Sequence, residues 1–221
     1  RKAVRESALS AGAREVFLIE EPMAAAIGAS LPIQEPKGNL IIDIGGGTTE
    51  IGVTSLGGLV ISKSIRVAGD KLDMSIVNYV KTKYGIVIGE RTAEDIKIQI
   101  GSAYPLEKEL SMAVKGRNQG TGLLDRIDLT SEDVREAMRE NLKEISDALR
   151  MVLEMMPPDL AADIFENGIV VSGGGALIRG LDKYLSETVR LPTYIADDPL
   201  LCVARGTGKI LEEISLLKQL T

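Results

Sequence analysis

The sequence contains no histidine and no tryptophan, and it has one cysteine among its 221 residues. Without histidine, the chain has no Ser-His-Asp or Cys-His catalytic centre and no histidine-built zinc site. The lone Cys202 excludes an internal disulfide and fits a reducing compartment. No apolar run approaches the roughly 20 residues of a membrane-spanning helix, and the first residues do not have the pattern of a signal peptide.

Charge and composition favour a globular protein over a nucleic-acid binder. The formal net charge is −6, from 32 acidic and 26 basic residues that are interspersed along the chain. The hydrophobic fraction of 44% is ample for a sizeable core, and the length suits one large domain or two small ones. The sequence opens on a helix with no Met and no cap before it, so we expect it to begin inside a domain of a longer protein.

Strand and helix patterns alternate along the chain, which predicts an α/β fold. The first helix ends near Gly12 and is followed by a predicted strand over 15–19, and Pro22 then opens a helix rich in alanine and glycine. The next predicted strands form a meander in one sheet, over 40–44, 49–55 and 59–67.

The rest of the chain continues this alternation. Asp70 is predicted to cap the next helix. A polar antiparallel ribbon over 107–129 leads to a capping box, formed by Thr130 and Asp133, that opens a long helix. The helices predicted here cover 70–84, 90–100, 130–155, 159–165 and 181–189, with a last helix from Pro199, and the strands cover 169–171 and 193–195.

Two glycine runs, each directly after an aliphatic strand, are the candidate functional motifs: NLIIDIGGGTTEIGV (39–53) and GIVVSGGGALI (168–178). Residues without a Cβ let the chain turn sharply and bring main-chain N–H groups close to an anion. Asp43, at the end of the first strand, is placed where a hydrated Mg²⁺ accompanies a phosphate chain. Thr48 adds a hydroxyl donor, and Ser172 opens the second turn.

Either run taken alone is explained as well by a tight turn as by a ligand site. Their shared position after aliphatic strands, with acidic and hydroxyl flanks, favours a site for a phosphate or a nucleoside. Neither run is a known dinucleotide or P-loop motif, because Glu50 replaces the third glycine of GxGxxG and no GxxxxGK[ST] occurs.

Taken in order, these motifs resemble the actin-type ATPase superfamily, which includes actin, sugar kinases and the heat-shock chaperones of that fold. Four segments are similar to its first connecting helix, second phosphate loop, adenosine loop and second connecting helix: IEEPMAAAIG, DIGGGTTE, VSGGGALIRG and PLLCVARGTGKIL. Within the superfamily, IGERTAEDIKI, GSAYP and PPDLAADI add a resemblance to the MreB family of bacterial actin-like cell-shape proteins, over essentially all 221 residues.

The resemblance implies an α/β actin-like ATPase (ribonuclease H-like) domain, with a mixed sheet, flanking helices and a small inserted α+β subdomain. It implies subdomain IIA over 1–68 and 131–198, a IIB-like insertion over 69–130, and a C-terminal helix over 199–221 that would pack on subdomain IA. The family's first phosphate hairpin lies in an N-terminal half that this sequence lacks, so we expect feeble or no ATP hydrolysis from this chain alone.

By resemblance, three residues have catalytic roles. Glu21 would help to polarise the attacking water, the alternative being an acid that the helix dipole favours. Asp43 would hold Mg²⁺ through water, its alternative being an ordinary acid at the end of a strand. Thr48 would position water or the γ-phosphate.

The resemblance also implies ATP or GTP, with Mg²⁺, as the cofactors. Glu94 and Lys97 lie three apart on one helix face and would flank the ribose and the base, the alternative being a solvated ion pair. The β- and γ-phosphates would be bound by the amides of Gly45, Gly46 and Gly47. The adenosine side would be lined by Gly173, Gly174, Gly175 and Ala176.

The function implied is an ATP-binding cytoskeletal protomer that polymerises head to tail. Its filaments would lie in the cytoplasm at the inner face of the cell membrane and direct rod shape and peptidoglycan synthesis. The implied partners are further copies, a RodZ-type membrane adaptor and wall-elongation proteins, with membrane contact mainly through the missing half and no nucleic acid. The alternatives are a chaperone or sugar-kinase ATPase of the same superfamily, or a truncated, non-hydrolysing fragment that only binds protein.

Overall fold

The computed structural model describes residues 1–212, which form two β-sheets flanked by helices. The strands, in chain order, are β1 (Asn39–Ile44), β2 (Thr49–Ser55), β3 (Gly58–Ile65), β4 (Ile86–Val87), β5 (Ser111–Asn118), β6 (Leu124–Thr130), β7 (Ile169–Ser172) and β8 (Thr193–Ile195). The helices are α1 (Lys2–Ser10), α2 (Glu21–Gly28), α3 (Gly69–Tyr84), α4 (Glu90–Ile100), α5 (Ser131–Glu154), α6 (Pro158–Asn167), α7 (Leu181–Val189) and α8 (Cys202–Glu212). Two short 3₁₀ turns cover Gly174–Leu177 and Pro199–Leu201.

The larger sheet has the order β3-β2-β1-β7-β8, and the smaller sheet has the order β4-β5-β6. In the larger sheet, β1 is antiparallel to β2 and parallel to β7, so the sheet is mixed. All six residues of β1 are buried, as expected for a central strand covered on both faces. None of the helices within residues 1–212 is both long and apolar enough to cross a membrane.

Most of the predicted elements are confirmed, including the meander β1-β2-β3, the ribbon β5-β6 and the capping box before α5. The predicted strand over 15–19 is wrong, because this segment has no regular secondary structure and no strand of residues 1–212 pairs with it. Asp70 does not cap α3, since Ala68 is the capping residue and Asp70 lies inside the first turn. Of the predicted C-terminal helix, 213–221 lies outside the described residues.

Helices α2 and α8 cross with their backbones almost in contact. A Cβ at Gly206 would overlap the main-chain carbonyl of Ala24, and a Cβ at Gly28 would overlap that of Cys202. Only glycine fits at these two positions, because each faces the main chain of the other helix. This crossing fixes α2, whose first residue is Glu21, against the start of α8.

We expect Gly206→Ala to lower the free energy of unfolding by about 1–3 kcal/mol, because the added methyl group forces the two helix backbones apart. The matched control is Gly208→Ala in the same helix, where no described atom outside the local helix backbone lies within 4 Å of the added Cβ. The control should stabilise the protein by up to about 1 kcal/mol through helix propensity. Urea denaturation measures both, and an equal effect of the two substitutions would contradict this account of the crossing.

Asp133 connects α3 to the start of α5. One of its oxygens accepts hydrogen bonds from Lys83 Nζ at 2.6 Å and Tyr79 Oη at 3.0 Å. The other accepts from Tyr84 Oη and from the Thr130 amide, both at 3.0 Å. Burial alone would raise the pKa of Asp133, but these hydrogen bonds hold that pKa well below its ordinary value of 3.8.

Because this pKa is lowered on folding, Asp133 contributes stability above about pH 4, and the contribution is lost as the pH falls towards the folded-state value. Asp133→Asn should therefore cost about 2 kcal/mol at pH 7, where a buried acceptor of several hydrogen bonds is lost. The gap between the two proteins should narrow at pH 3. Urea denaturation at both pH values measures it, and a gap independent of pH would show that the charge of Asp133 is irrelevant.

Candidate functional site

The two glycine turns lie at the same edge of the larger sheet. Strands β1 and β7 are parallel neighbours in which Asp43 pairs with Ser172, so both strands end together and each continues into its glycine run. The turns border one cavity of about 530 Å³, a size typical of small-molecule sites. Nine of the residues predicted from the sequence line it together: Glu21, Asp43, Gly45, Gly46, Glu94, Lys97, Gly173, Gly174 and Gly175. Gly47, Thr48 and Ala176 are not part of this lining.

In the first turn, the three glycines have different hydrogen-bonding states. The amide of Gly45 donates to the Thr48 carbonyl at 2.9 Å and so closes the turn. The amides of Gly46 and Gly47 have no acceptor among residues 1–212, and both residues are exposed. A Cβ at Gly46 would meet only the Asp70 carboxylate, at 3.4 Å. Gly46 and Gly47 are therefore the residues of this turn whose amides are available to an anion.

In the second turn, glycine is required mainly by the close approach of β1. Gly173 has a φ of +82° and its amide donates to the Pro199 carbonyl at 2.9 Å. A Cβ at Gly173 would overlap the backbone of Ile44, and one at Gly175 would overlap the side chain of Ile44. Gly174 is exposed, with only the flexible Leu200 side chain near it, so it is the glycine of this turn that is open to the cavity.

Asp43 lies at the head of the cavity and is only 4% exposed. Its Oδ1 accepts a hydrogen bond of 2.6 Å from Ser172 Oγ across the β1–β7 pair. Burial raises the pKa of Asp43, and the hydrogen bond from Ser172 opposes this shift. The sequence identified Ser172 as the start of a turn but did not indicate that it holds the carboxylate.

Glu21 opens α2 at the border of the cavity and is exposed. Partial burial raises the pKa of Glu21, and the negative charges of Asp43 and Glu50 raise it further. Glu50 in turn accepts a hydrogen bond of 2.6 Å from Ser64 on the neighbouring strand. Glu21 is thus a carboxylate with raised proton affinity next to a second, buried carboxylate, as expected of an acid–base group.

Lys97 pairs with an acid that sequence analysis missed. Its Nζ donates to Asp73 Oδ2 at 2.9 Å and to the Gly69 carbonyl at 3.1 Å, so its partner is Asp73 and not Glu94. Asp73 lies on the buried face of α3 close to Leu72. An acid that interrupts the apolar face of a helix was the signal available in the sequence.

The first turn of α3 supports the glycine turn directly. The amide of Gly69 donates to the Gly45 carbonyl at 3.1 Å, and the amide of Asp70 donates to the Gly46 carbonyl at 2.8 Å. These two bonds orient the carbonyls of the glycine turn towards α3. The predicted role of Asp70 as a cap missed this arrangement, which depends on a helix 24 residues after Gly45 in the sequence.

The cavity also has an apolar wall. Ile98, Leu177 and Leu200 line it and are 62%, 57% and 64% exposed, although they are large aliphatic residues. Such exposure suits a flat apolar ligand group like a nucleobase. Sequence reasoning did not find this wall, because its members come from three separate elements.

The charges of the cavity are predominantly negative. Five carboxylates line it, from Glu21, Asp43, Asp70, Asp73 and Glu94, and one ammonium, from Lys97. No group of three or more His, Cys, Asp or Glu within residues 1–212 is arranged to hold a metal ion. Mg²⁺ is nevertheless commonly bound through one or two carboxylates together with phosphate oxygens, so Asp43 beside free amides fits a magnesium-phosphate group.

Comparison with known proteins agrees with this geometry. The family model described as MreB/Mbl protein matches residues 1–219. The chain belongs to the MreB/Mbl family. It is 54% identical over 216 residues to the cell shape-determining protein MreB of Escherichia coli (strain K12), covering 98% of this chain and 62% of that protein. The chain thus spans less than two thirds of the length of this MreB relative.

Two solved structures of an MreB family member are also similar to this chain. MreB5 of Spiroplasma citri bound to ADP has a TM-score of 0.95 and 44% identity, covering 99% of this chain and 66% of that one. The same protein bound to AMPPNP has a TM-score of 0.94 and 44% identity, covering 97% and 65% of the two chains. These matches confirm the predicted actin-like ATPase fold.

Removing the nearby charge should lower the raised pKa of Glu21. We expect Asp43→Asn to lower that pKa more than Glu50→Gln does, because Asp43 makes the larger electrostatic contribution. The sign follows because a neighbouring negative charge disfavours ionisation of Glu21. An NMR titration of the Glu21 carboxyl carbon measures the pKa in all three proteins. If neither substitution lowers it, Glu21 is not coupled to these acids.

Proposed function

We propose that this chain binds a magnesium-nucleotide, ATP or GTP, and acts as a protomer of actin-like filaments that determine cell shape. One observation carries the proposal: the free amide of Gly46 in the first glycine turn, the exposed Gly174 of the second, the buried Asp43 and an apolar wall border the same cavity. Donors for an anion, a ligand for a hard cation and a surface for a base are the three features that a nucleotide site needs.

The phosphate chain is assigned to the first glycine turn. The amides of Gly46 and Gly47 provide its donors, and Thr48 at the end of the turn provides a hydroxyl. Gly45 shapes the turn through its own hydrogen bond. Gly174 on the opposite turn and the wall beside it receive the adenosine side, with Glu94 on α4 available to the ribose hydroxyls.

Magnesium is assigned to Asp43, held through water. When bound, Mg²⁺ neutralises phosphate charge and orients the phosphate chain. Ser172 keeps the Asp43 carboxylate in one orientation by its hydrogen bond of 2.6 Å. Glu21 is assigned the role of polarising the attacking water by accepting a proton from it, and its raised pKa supports this role.

Family membership supports the cytoskeletal part of the proposal over the chaperone and sugar-kinase alternatives. The Escherichia coli relative compared above is named for determining cell shape, and the solved MreB5 structures contain ADP or AMPPNP. We propose further that the filaments lie in the cytoplasm at the membrane face, where RodZ-type adaptors and wall-elongation proteins direct peptidoglycan synthesis.

The test is calorimetric titration of the chain with ADP in the presence of Mg²⁺ or EDTA. Gly46→Val should weaken binding at least about tenfold, because the added side chain covers the free amides, and its Cβ would meet only the Asp70 carboxylate, at 3.4 Å. The matched control, Gly89→Val, adds the same side chain outside the cavity lining, where the Cβ has no described atom beyond its chain neighbours within 4 Å. The affinity of this variant should equal that of the wild type. EDTA should abolish binding, because without Mg²⁺ the carboxylates that line the cavity repel the phosphates of ADP.

Sedimentation with Mg²⁺ and AMPPNP then tests the filament. The chain should pellet with nucleotide, and Gly46→Val should remain in the supernatant. Equal affinities of Gly46→Val and wild type would refute the nucleotide site. A chain that binds nucleotide but never pellets would refute the filament while leaving the site in place.

A further inference from the structure

We propose that Asp73 is a positioning residue of the nucleotide site, and that its buried carboxylate fixes the ammonium of Lys97 beside the phosphate-binding glycine turn. The inference rests on the proposed function and extends it to a residue outside the glycine turns and the catalytic carboxylates. Asp73 acts through Lys97, which is the one cationic side chain among the residues that line the cavity.

The geometry around Lys97 is tight and well shielded. The ion pair between Lys97 Nζ and Asp73 Oδ2 measures 2.9 Å, and the two side chains are only 13% and 11% exposed. A second hydrogen bond, to the Gly69 carbonyl at 3.1 Å, holds the ammonium over the first turn of α3. A flexible lysine side chain is thus held in one place by two acceptors.

Gly69 brings this ammonium next to the glycine turn. A Cβ built at Gly69 would lie 3.4 Å from Lys97 Nζ, 3.3 Å from the Gly45 carbonyl oxygen and 3.5 Å from the Gly46 Cα. All three atoms therefore surround one small volume, which assigns Lys97 to the phosphate side of the cavity in place of the flank of the ribose and base that the resemblance implied. The amide of Gly69 also donates to that Gly45 carbonyl, so Lys97, α3 and the turn form one connected unit.

Stability alone does not account for Asp73. Its second oxygen, Oδ1, is buried and has no hydrogen-bond partner among residues 1–212. Burial raises the pKa of Asp73, against the opposing effect of Lys97. A buried ion pair with an unsatisfied oxygen stabilises a fold no better than apolar residues of similar size. What the pair supplies is a cation at a fixed position, which is the form of preorganisation that binding a polyphosphate uses.

The net charge of the cavity alone predicts the opposite effect of Asp73 on nucleotide affinity. Removing one of five carboxylates from a cavity that binds a polyanion should strengthen binding. The positioning account predicts that Asp73→Asn weakens it, because Lys97 loses its fixed location. The sign of the change therefore separates the two explanations. Asp70→Asn calibrates the effect of charge alone, since Asp70 also lines the cavity but is not a partner of Lys97.

The experiment measures affinities for Mg²⁺-ADP and for adenosine, together with urea denaturation. We expect Asp73→Asn to bind Mg²⁺-ADP about tenfold more weakly, with unchanged affinity for adenosine, which has no phosphate. Asp70→Asn should bind Mg²⁺-ADP as tightly as the wild type or more tightly. The double variant Asp73→Asn/Lys97→Met replaces the pair by neutral groups, so it should recover stability but keep the weak binding of Mg²⁺-ADP.

The outcomes are distinct. Mg²⁺-ADP affinity at or above the wild-type level in Asp73→Asn, or in the double variant, would overturn the positioning role and leave the nucleotide site intact. If Asp73→Asn does not fold, the affinity of the double variant for Mg²⁺-ADP tests whether the Asp73–Lys97 pair contributes to binding. A wild-type chain that does not bind Mg²⁺-ADP would overturn the proposed function and this inference together.

Discussion

The structure of the site depends on the pairing of β1 with β7. The two strands run parallel with Asp43 opposite Ser172, so their glycine turns leave the sheet at one edge. The hydrogen bond between these two side chains is buried in the sheet and holds the carboxylate at the head of the cavity. The second turn is pressed against Ile44, the last residue of β1, so the position of one turn determines the position of the other.

The glycines of the two turns serve different physical purposes. Gly173 and Gly175 are glycine because β1 leaves no room for a Cβ, and Gly173 also has a left-handed backbone conformation. A Cβ at Gly46 or Gly174 would meet only the side chain of Asp70 or Leu200, and a larger residue there would cover exposed backbone on the side of the cavity. Packing and binding therefore require the same residue type in one motif, and the sequence of the motif does not separate them.

The charged side chains that line the cavity are mostly acidic. Carboxylates outnumber cations in the cavity lining, which makes a bound divalent cation the natural companion of any phosphate there. The single ammonium is held by a partner on α3, the helix whose first amides support the glycine turn. Helix α3 thus both supports the backbone of the first glycine turn and holds the ammonium of Lys97.

The sequence by itself determined the elements and the two glycine motifs, because hydrophobic period, turn residues and capping signals are local properties of the chain. It also placed Glu94 and Lys97 on one helix face, since that follows from spacing. It failed for the strand over 15–19, where an apolar run finds no partner strand among residues 1–212. Only the tertiary structure decided that Lys97 pairs with Asp73, 24 residues away, and that Ser172 binds Asp43 across 129 residues. Such partners depend on how helices and strands pack together, and a local sequence pattern does not predict which distant residue will be the partner.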